Sequence, residues 1–193
     1  MSFLLTLLVF AYTLTDTAGL MTAAFTRFSY WILWALALAW AYALLKYLRK
    51  TGFSPKEFLR RNWPGLLLTF ALTTSIFLSV KPGWRVLSDE TNLLGVSRSM
   101  LYEHKPMNPT MAYYRHDQLQ IKHSKLNKRP LLFPFVTHLA HLLAGYRWIN
   151  PIIVNFLTAW AFLFLFFRIF QPWAGTTGGL GASLLLASHP IFA

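Results

Sequence analysis

Cysteine is absent from this 193-residue chain, which excludes a disulfide framework and a thiolate metal site and leaves the redox compartment unmarked. Charge is scarce too. Only 12% of residues are charged, against about 25% in an ordinary soluble domain. Acids are scarcest, 6 against 18 Lys or Arg, for a formal net charge of +12. There is no internal repeat or low-complexity tract, and the first apolar stretch lacks the basic leader and small-residue cleavage site of a secretory signal peptide. No basic helix or aromatic RNA-binding motif accompanies the positive charge, so nucleic acid is not an expected partner.

What the chain has is apolar mass: 55% hydrophobic and 17% aromatic residues, with a mean hydropathy of +0.43. Several runs approach the roughly 20 residues that cross about 30 Å of hydrocarbon. The expected fold class is all-α: a polytopic membrane protein of about five transmembrane helices plus one or two interfacial juxtamembrane helices. A single membrane module over 1–193 would place spans at 2–25, 28–45, 64–80, 151–167 and 174–190. Only Arg27 and Ser29 interrupt the first two, which implies a tight helical hairpin. Asp16, past the middle of the first, must face the bundle or reach water at a bend. Pro64 suits the first turn of the third. The glycine-rich stretch 174–187 would pack closely on a neighbour, and an end without a polar tail suggests the amino-terminal portion of something longer.

Lys46, Arg49, Lys50, Lys56, Arg60 and Arg61 crowd residues 46–62 against the single acid Glu57, which makes that loop cytoplasmic by the positive-inside rule. Parity then puts an outer loop at 81–147. Thr91 to Glu103 carries Leu93, Leu94, Val96, Met100 and Leu101 at helical spacing, with the apolar side expected on the membrane surface. Tyr113-Tyr114-Arg115-His116-Asp117 and the basic run after it show no clear periodicity, so loop or short surface elements are expected. Leu131 to Ala144 is too short for a span and suits an interfacial helix. His138 and His141 share one face of it, but no third ligand lies near in sequence, so polar interfacial residues are the plainer reading than a metal site.

Nearly every group able to do chemistry lies between Lys81 and Arg129. Asp89 and Glu90 head the candidates, because a carboxylate held about 3 Å from a nucleophile's proton can act as a general base. The competing reading is a helix N-terminus, where Ser88 and Asp89 cap well and Glu90 suits the dipole. Arg85, Arg98, Lys125, Lys128 and Arg129 could hold a phosphate, or simply meet lipid head groups.

The order of parts carries a resemblance. A span leads out to Trp84-Arg85-Val86-Leu87-Ser88-Asp89-Glu90, a helix ends at Tyr102-Glu103-His104, and a Lys128-Arg129-Pro130-Leu131-Leu132 turn precedes an interfacial helix and an inward span. This resembles the amino-terminal part of the GT-C membrane glycosyltransferases, in the branch of the protein mannosyltransferases and the lipid A aminoarabinose transferases. That family has an Asp-Glu pair in its first outer loop and a Lys-Pro-Pro-Leu-like turn before a juxtamembrane helix. The match covers roughly Trp84 to Arg168; the turn here reads Lys-Arg-Pro, and two spans precede the family's usual first one.

The resemblance implies a sugar donor on a polyprenyl phosphate, Asp89 as general base, and Lys128 or Arg129 near the substrate phosphate. No cofactor is fixed, since some relatives use a divalent cation and others do not. The bilayer and its anionic lipid would be further partners, and the location the plasma membrane, meaning a bacterial inner membrane. The rival from another class is a non-catalytic membrane subunit or truncated remnant that binds anionic lipid.

Overall fold

The computed structural model describes residues 17–79, 89–115, 118–127 and 129–188. They are mostly helical: α1 (Thr17–Lys50), α2 (Pro55–Ser79), α3 (Asp89–Glu103), β1 (Met107–Arg115), β2 (Gln118–Leu126), α4 (Leu132–Ala144) and α5 (Asn150–Ala187). Two stretches, Met21–Lys50 and Asn150–Ala187, are long and apolar enough to cross a bilayer. Packing groups the described residues into two compact units, one within Met1–Ala41 and Leu87–Leu142, the other within Tyr42–Val86 and Leu143–Ala193.

α1 runs unbroken through residues 25–29, so the tight turn expected between spans 2–25 and 28–45 is not formed. Nothing there stops a helix. The stretch holds neither Gly nor Pro, Arg is a good helix former, and the Ser29 hydroxyl donates to the Phe25 carbonyl one turn back. Asp16 lies outside the described residues.

In the first unit, α3 turns its apolar side into protein and not onto a membrane surface as expected. Val96 and Met100 are fully buried and form a core with Tyr30 of α1 and Phe135 of α4. The stretch expected as loop or short surface elements lies largely in an antiparallel hairpin, β1–β2, which corrects the all-α reading. Two irregularities disguise its period of two: β1 carries an extra residue at Thr110 and β2 at Lys122. They offset each other, so the register is restored beyond them. Pro109, which has no N–H for a ladder, sits at the first of them. The base of the hairpin is fixed on α3, where a Cβ on Gly95 would lie 3.1 Å from both Asn108 Oδ1 and Pro109 Cδ. Asn108 Nδ2 also donates to Asn92 Oδ1 at 3.1 Å.

The second unit takes in the last turns of α1, from Tyr42 on. Arg49 and Lys50 occupy the last turn of α1, facing the negative end of its dipole, and Gly52 takes φ 62° in the connection. α2 starts at once, because Ser54-Pro55-Lys56-Glu57 forms a helix start. The Glu57 N–H donates to Ser54 Oγ at 3.4 Å, and Pro55 stands where a missing N–H costs nothing. That early start leaves Pro64, the expected first-turn proline, inside the helix.

α2 packs antiparallel to the first limb of α5. Arg168 Nη1 donates to Asn62 Oδ1 at 2.6 Å and to Gln171 Oε1 at 3.0 Å. Trp160 Nε1 donates to the Leu66 carbonyl at 3.2 Å, and the Phe70 ring meets Phe156 and Trp160 edge-on. The buried positions on α2 include Gly65, Thr69 and Thr73, one turn apart. Each threonine returns its hydroxyl to the carbonyl four residues back, at 2.8 Å. Trp63, Leu67, Leu68 and Leu78 are exposed. Small and self-satisfied residues inside with large apolar ones outside is the packing used in lipid, where close backbone approach replaces the hydrophobic drive.

A straight α5 of 38 residues would measure about 57 Å, nearly twice the hydrocarbon thickness. It is not straight. Gly175, at φ 68° and ψ −175°, leaves the helical region, and the chain folds back. A Cβ on Gly179 would lie 3.0 Å from the Phe167 carbonyl oxygen, although residues so spaced on a straight helix stand about 18 Å apart. The expected span 151–167 lies in the first limb. The segment expected at 174–190 starts at this break, and its described helix, 176–187, is about 18 Å long, short of a full crossing. The Phe167 ring, 2% exposed, is clasped between Gly65 and Gly179.

Gly65→Val should therefore lower the thermal midpoint of the detergent-solubilised chain by the equivalent of about 1–3 kcal/mol, the usual cost of overpacking. Gly181→Ala should be neutral, since a Cβ there meets nothing within 4 Å. Equal effects of the two would contradict the clasp.

Candidate functional site

The expected site residues that are described lie apart along the first unit. Asp89 and Glu90 are the first two residues of α3, and their side chains, like Arg85 and Lys128 entirely, lie outside the described residues. Arg98 is on the same helix but about 13 Å further along its axis at 1.5 Å per residue. Its guanidinium carbon sits 5.1 Å from the centre of the Tyr102 ring, a cation–π pair one turn apart. Arg98 therefore does not share an immediate site with Asp89. Arg129 is exposed in a turn whose geometry Asn127 sets. The Asn127 Oδ1 accepts from the Arg129 N–H at 3.3 Å, and its Nδ2 donates to the Arg129 carbonyl at 3.1 Å. That turn delivers the chain to α4.

The polar groups that the structure does bring together are others. His138 and His141, on one face of α4, are buried, not interfacial, while Leu132, Val136, Leu142 and Leu143 of the same helix are exposed. Tyr30 Oη lies 3.3 Å from His138 Nε2, and Ser97 Oγ 3.3 Å from His141 Nε2. His104 closes the group. It ends α3 at φ 55°, the left-handed position that usually falls to Gly, and its ring packs on Tyr30 and Trp31. Sequence reasoning missed Tyr30, Ser97 and His104. The available signal was Ser97 and Ser99 on the otherwise apolar side of α3, beside an i, i+3 histidine pair on an apolar helix.

The geometry limits the chemistry. The Ser97 hydroxyl is within reach of the Leu94 carbonyl at 2.8 Å as well as of His141, and the direction of the His141 contact follows the imidazole tautomer. Among the described residues no group of three or more His, Cys, Asp or Glu could hold a metal ion. Burial, then the neighbouring His141 and His104, push His138 down from 6.5 to about 4. The ring is thus neutral near pH 7, with its Nδ1 buried and unpartnered among the described residues. No family, curated protein or solved structure matches this chain.

Because His138 binds its proton less readily when folded than its free value of 6.5, the stability it contributes is complete above about pH 6.5 and is lost as pH falls toward 4. The expected slope in that window is at most about 1.4 kcal/mol per pH unit for one proton. Denaturant titrations of the aromatic circular-dichroism signal should show it, and His138→Gln should flatten it. An unchanged slope in the variant would contradict the assignment.

Proposed function

We propose that the chain is a membrane module of GT-C type that transfers a sugar from a polyprenyl-phosphate donor to an acceptor at the outer face of the plasma membrane. One observation carries the reading. The Asp89-Glu90 pair opens α3, the Arg129-Pro130-Leu131 turn leads directly into the 13-residue apolar helix α4, and both belong to one compact unit. That is the order of motifs on which the family resemblance rests. In this reading α2 joins α1 and α5 as a span, supported by its apolar outer residues, and the basic ends of α1 and α2 face the cytoplasm.

The reaction would run as an inverting displacement. An acceptor oxygen or nitrogen forms the new bond to the anomeric carbon as the carbon–oxygen bond to the lipid phosphate breaks. The electron pair of that bond leaves on the phosphate, and the acceptor's proton passes to Asp89. Lys128 or Arg129 would stabilise the charge gathering on the phosphate. The rival reading, a non-catalytic subunit on anionic lipid, draws on the same Asp89. A carboxylate at the first turn of a helix is also what the helix dipole favours.

Asp89→Asn separates the two, because Asn caps a helix about as well as Asp but cannot take a proton. In proteoliposomes of the full chain supplied with a polyprenyl-phosphate sugar, release of polyprenyl phosphate should fall by on the order of 10²–10⁴, with insertion unchanged. Equal release by the variant would remove Asp89 as the base. Reporter fusions after Arg61 and after Lys125 should read cytoplasmic and external respectively; a cytoplasmic Lys125 puts Asp89 on the wrong side for this chemistry.

A further inference from the structure

Successive ladder pairs of the β1–β2 hairpin point to alternate faces. One face carries Met107, Pro109, Ile121 and Leu126, all partly buried. The other carries Met111, Tyr113, Arg115, His123 and Lys125, all exposed. Met111 is 52% and Tyr113 46% exposed. Lys122, the extra residue of β2, is exposed as well, and no acid occurs among the described hairpin residues.

The position of the hairpin relative to α1 gives this face a setting. The Thr26 hydroxyl of α1 meets Met107 Sδ at 3.7 Å, fixing the hairpin base at that level. Thr26 and Arg27 stand at the edge of the uncharged run 28–45, so with α1 across the bilayer the hairpin base lies at an interface. The exposed Trp31, of a residue type enriched at that depth, follows within about one and a half turns.

We propose that the exposed face of the β1–β2 hairpin docks on the anionic bilayer surface. Arg115, Lys122 and Lys125 meet head-group phosphates, and Met111 and Tyr113 enter the interfacial zone. Charge complementarity selects this occupant: three cations on a short hairpin, with no carboxylate partner among the described residues, match a surface of lipid phosphates. The strands, 9 residues each, provide about 30 Å of contact length. The inference rests on α1 as a span and is independent of sugar transfer.

The absence of cysteine makes the test clean. Tyr113→Cys in the full chain takes a single polarity-sensitive bimane label, and the protein is placed in nanodiscs of phosphatidylcholine with or without phosphatidylglycerol. Docking predicts a blue-shifted emission, quenched by head-group spin-labelled lipid, only in the phosphatidylglycerol discs and weakened by salt. Arg115→Gln, Lys122→Gln and Lys125→Gln should each weaken the docked state about fivefold, and together remove the shift. Equal water exposure of the label in both kinds of disc would overturn the proposal. A shift produced by inorganic phosphate in phosphatidylcholine discs would also overturn it, in favour of a discrete phosphate site. Absence of the chain from the disc fraction would overturn the span assignment and the docking together.

Discussion

Hydrocarbon offers no partner to a polar group, and in the proposed membrane placement that constraint accounts for the packing of α2 on the first limb of α5. Several polar side chains of these helices are satisfied within them or between them, while Lys56, Arg60, Arg61 and Asn155 are exposed. Thr69 and Thr73 bond to their own helix, Trp160 to the α2 backbone, and Arg168 to Asn62 and Gln171. The large residues outside include Trp63, Leu67, Leu78, Leu157 and Leu165. An ordinary soluble fold would bury these first and leave the threonines out.

The same inversion appears in the first unit at a different scale. α4 is too short to cross a bilayer, yet it turns its leucines outward and its histidines inward, onto Tyr30 and Ser97. Burying the His138 imidazole is tolerable because burial itself keeps it neutral. The cluster ties α1, α3 and α4 into one body, which positions the start of α3, with Asp89, and the turn before α4 within one folded unit. Specificity of packing is the role this geometry supports for it.

Legibility in the sequence tracked the strength of the local signal. The 151–167 run and the short helix after Pro130 were readable because apolar length and a flanking proline define them. The start of α2 was readable too, in Ser54-Pro55-Lys56-Glu57, but Pro64 drew attention away from that capping pattern. The single helix through Arg27 is hidden because a lone cation flanked by apolar residues looks like a break, although Arg is a good helix former. The hairpin was hidden by its two compensating extra residues, which erase the alternation from any short window. The reversal at Gly175 and the grip of Gly65 and Gly179 on Phe167 depend on contacts between distant residues, which no local pattern encodes. Of the candidate site, Asp89 and Glu90 were found as a pair and located at a helix start. The histidine cluster was recognised only as a spacing, since burial is a property of the fold.

In the proposed membrane placement the outer faces of α2 and α5 meet lipid. Single spin labels at Leu67→Cys and Leu165→Cys, both exposed positions in a chain without other cysteines, read this directly in bilayers by their accessibility to oxygen and to a water-soluble nickel chelate. Lipid contact gives high oxygen and low chelate accessibility at both. Dominant chelate accessibility at either would contradict it.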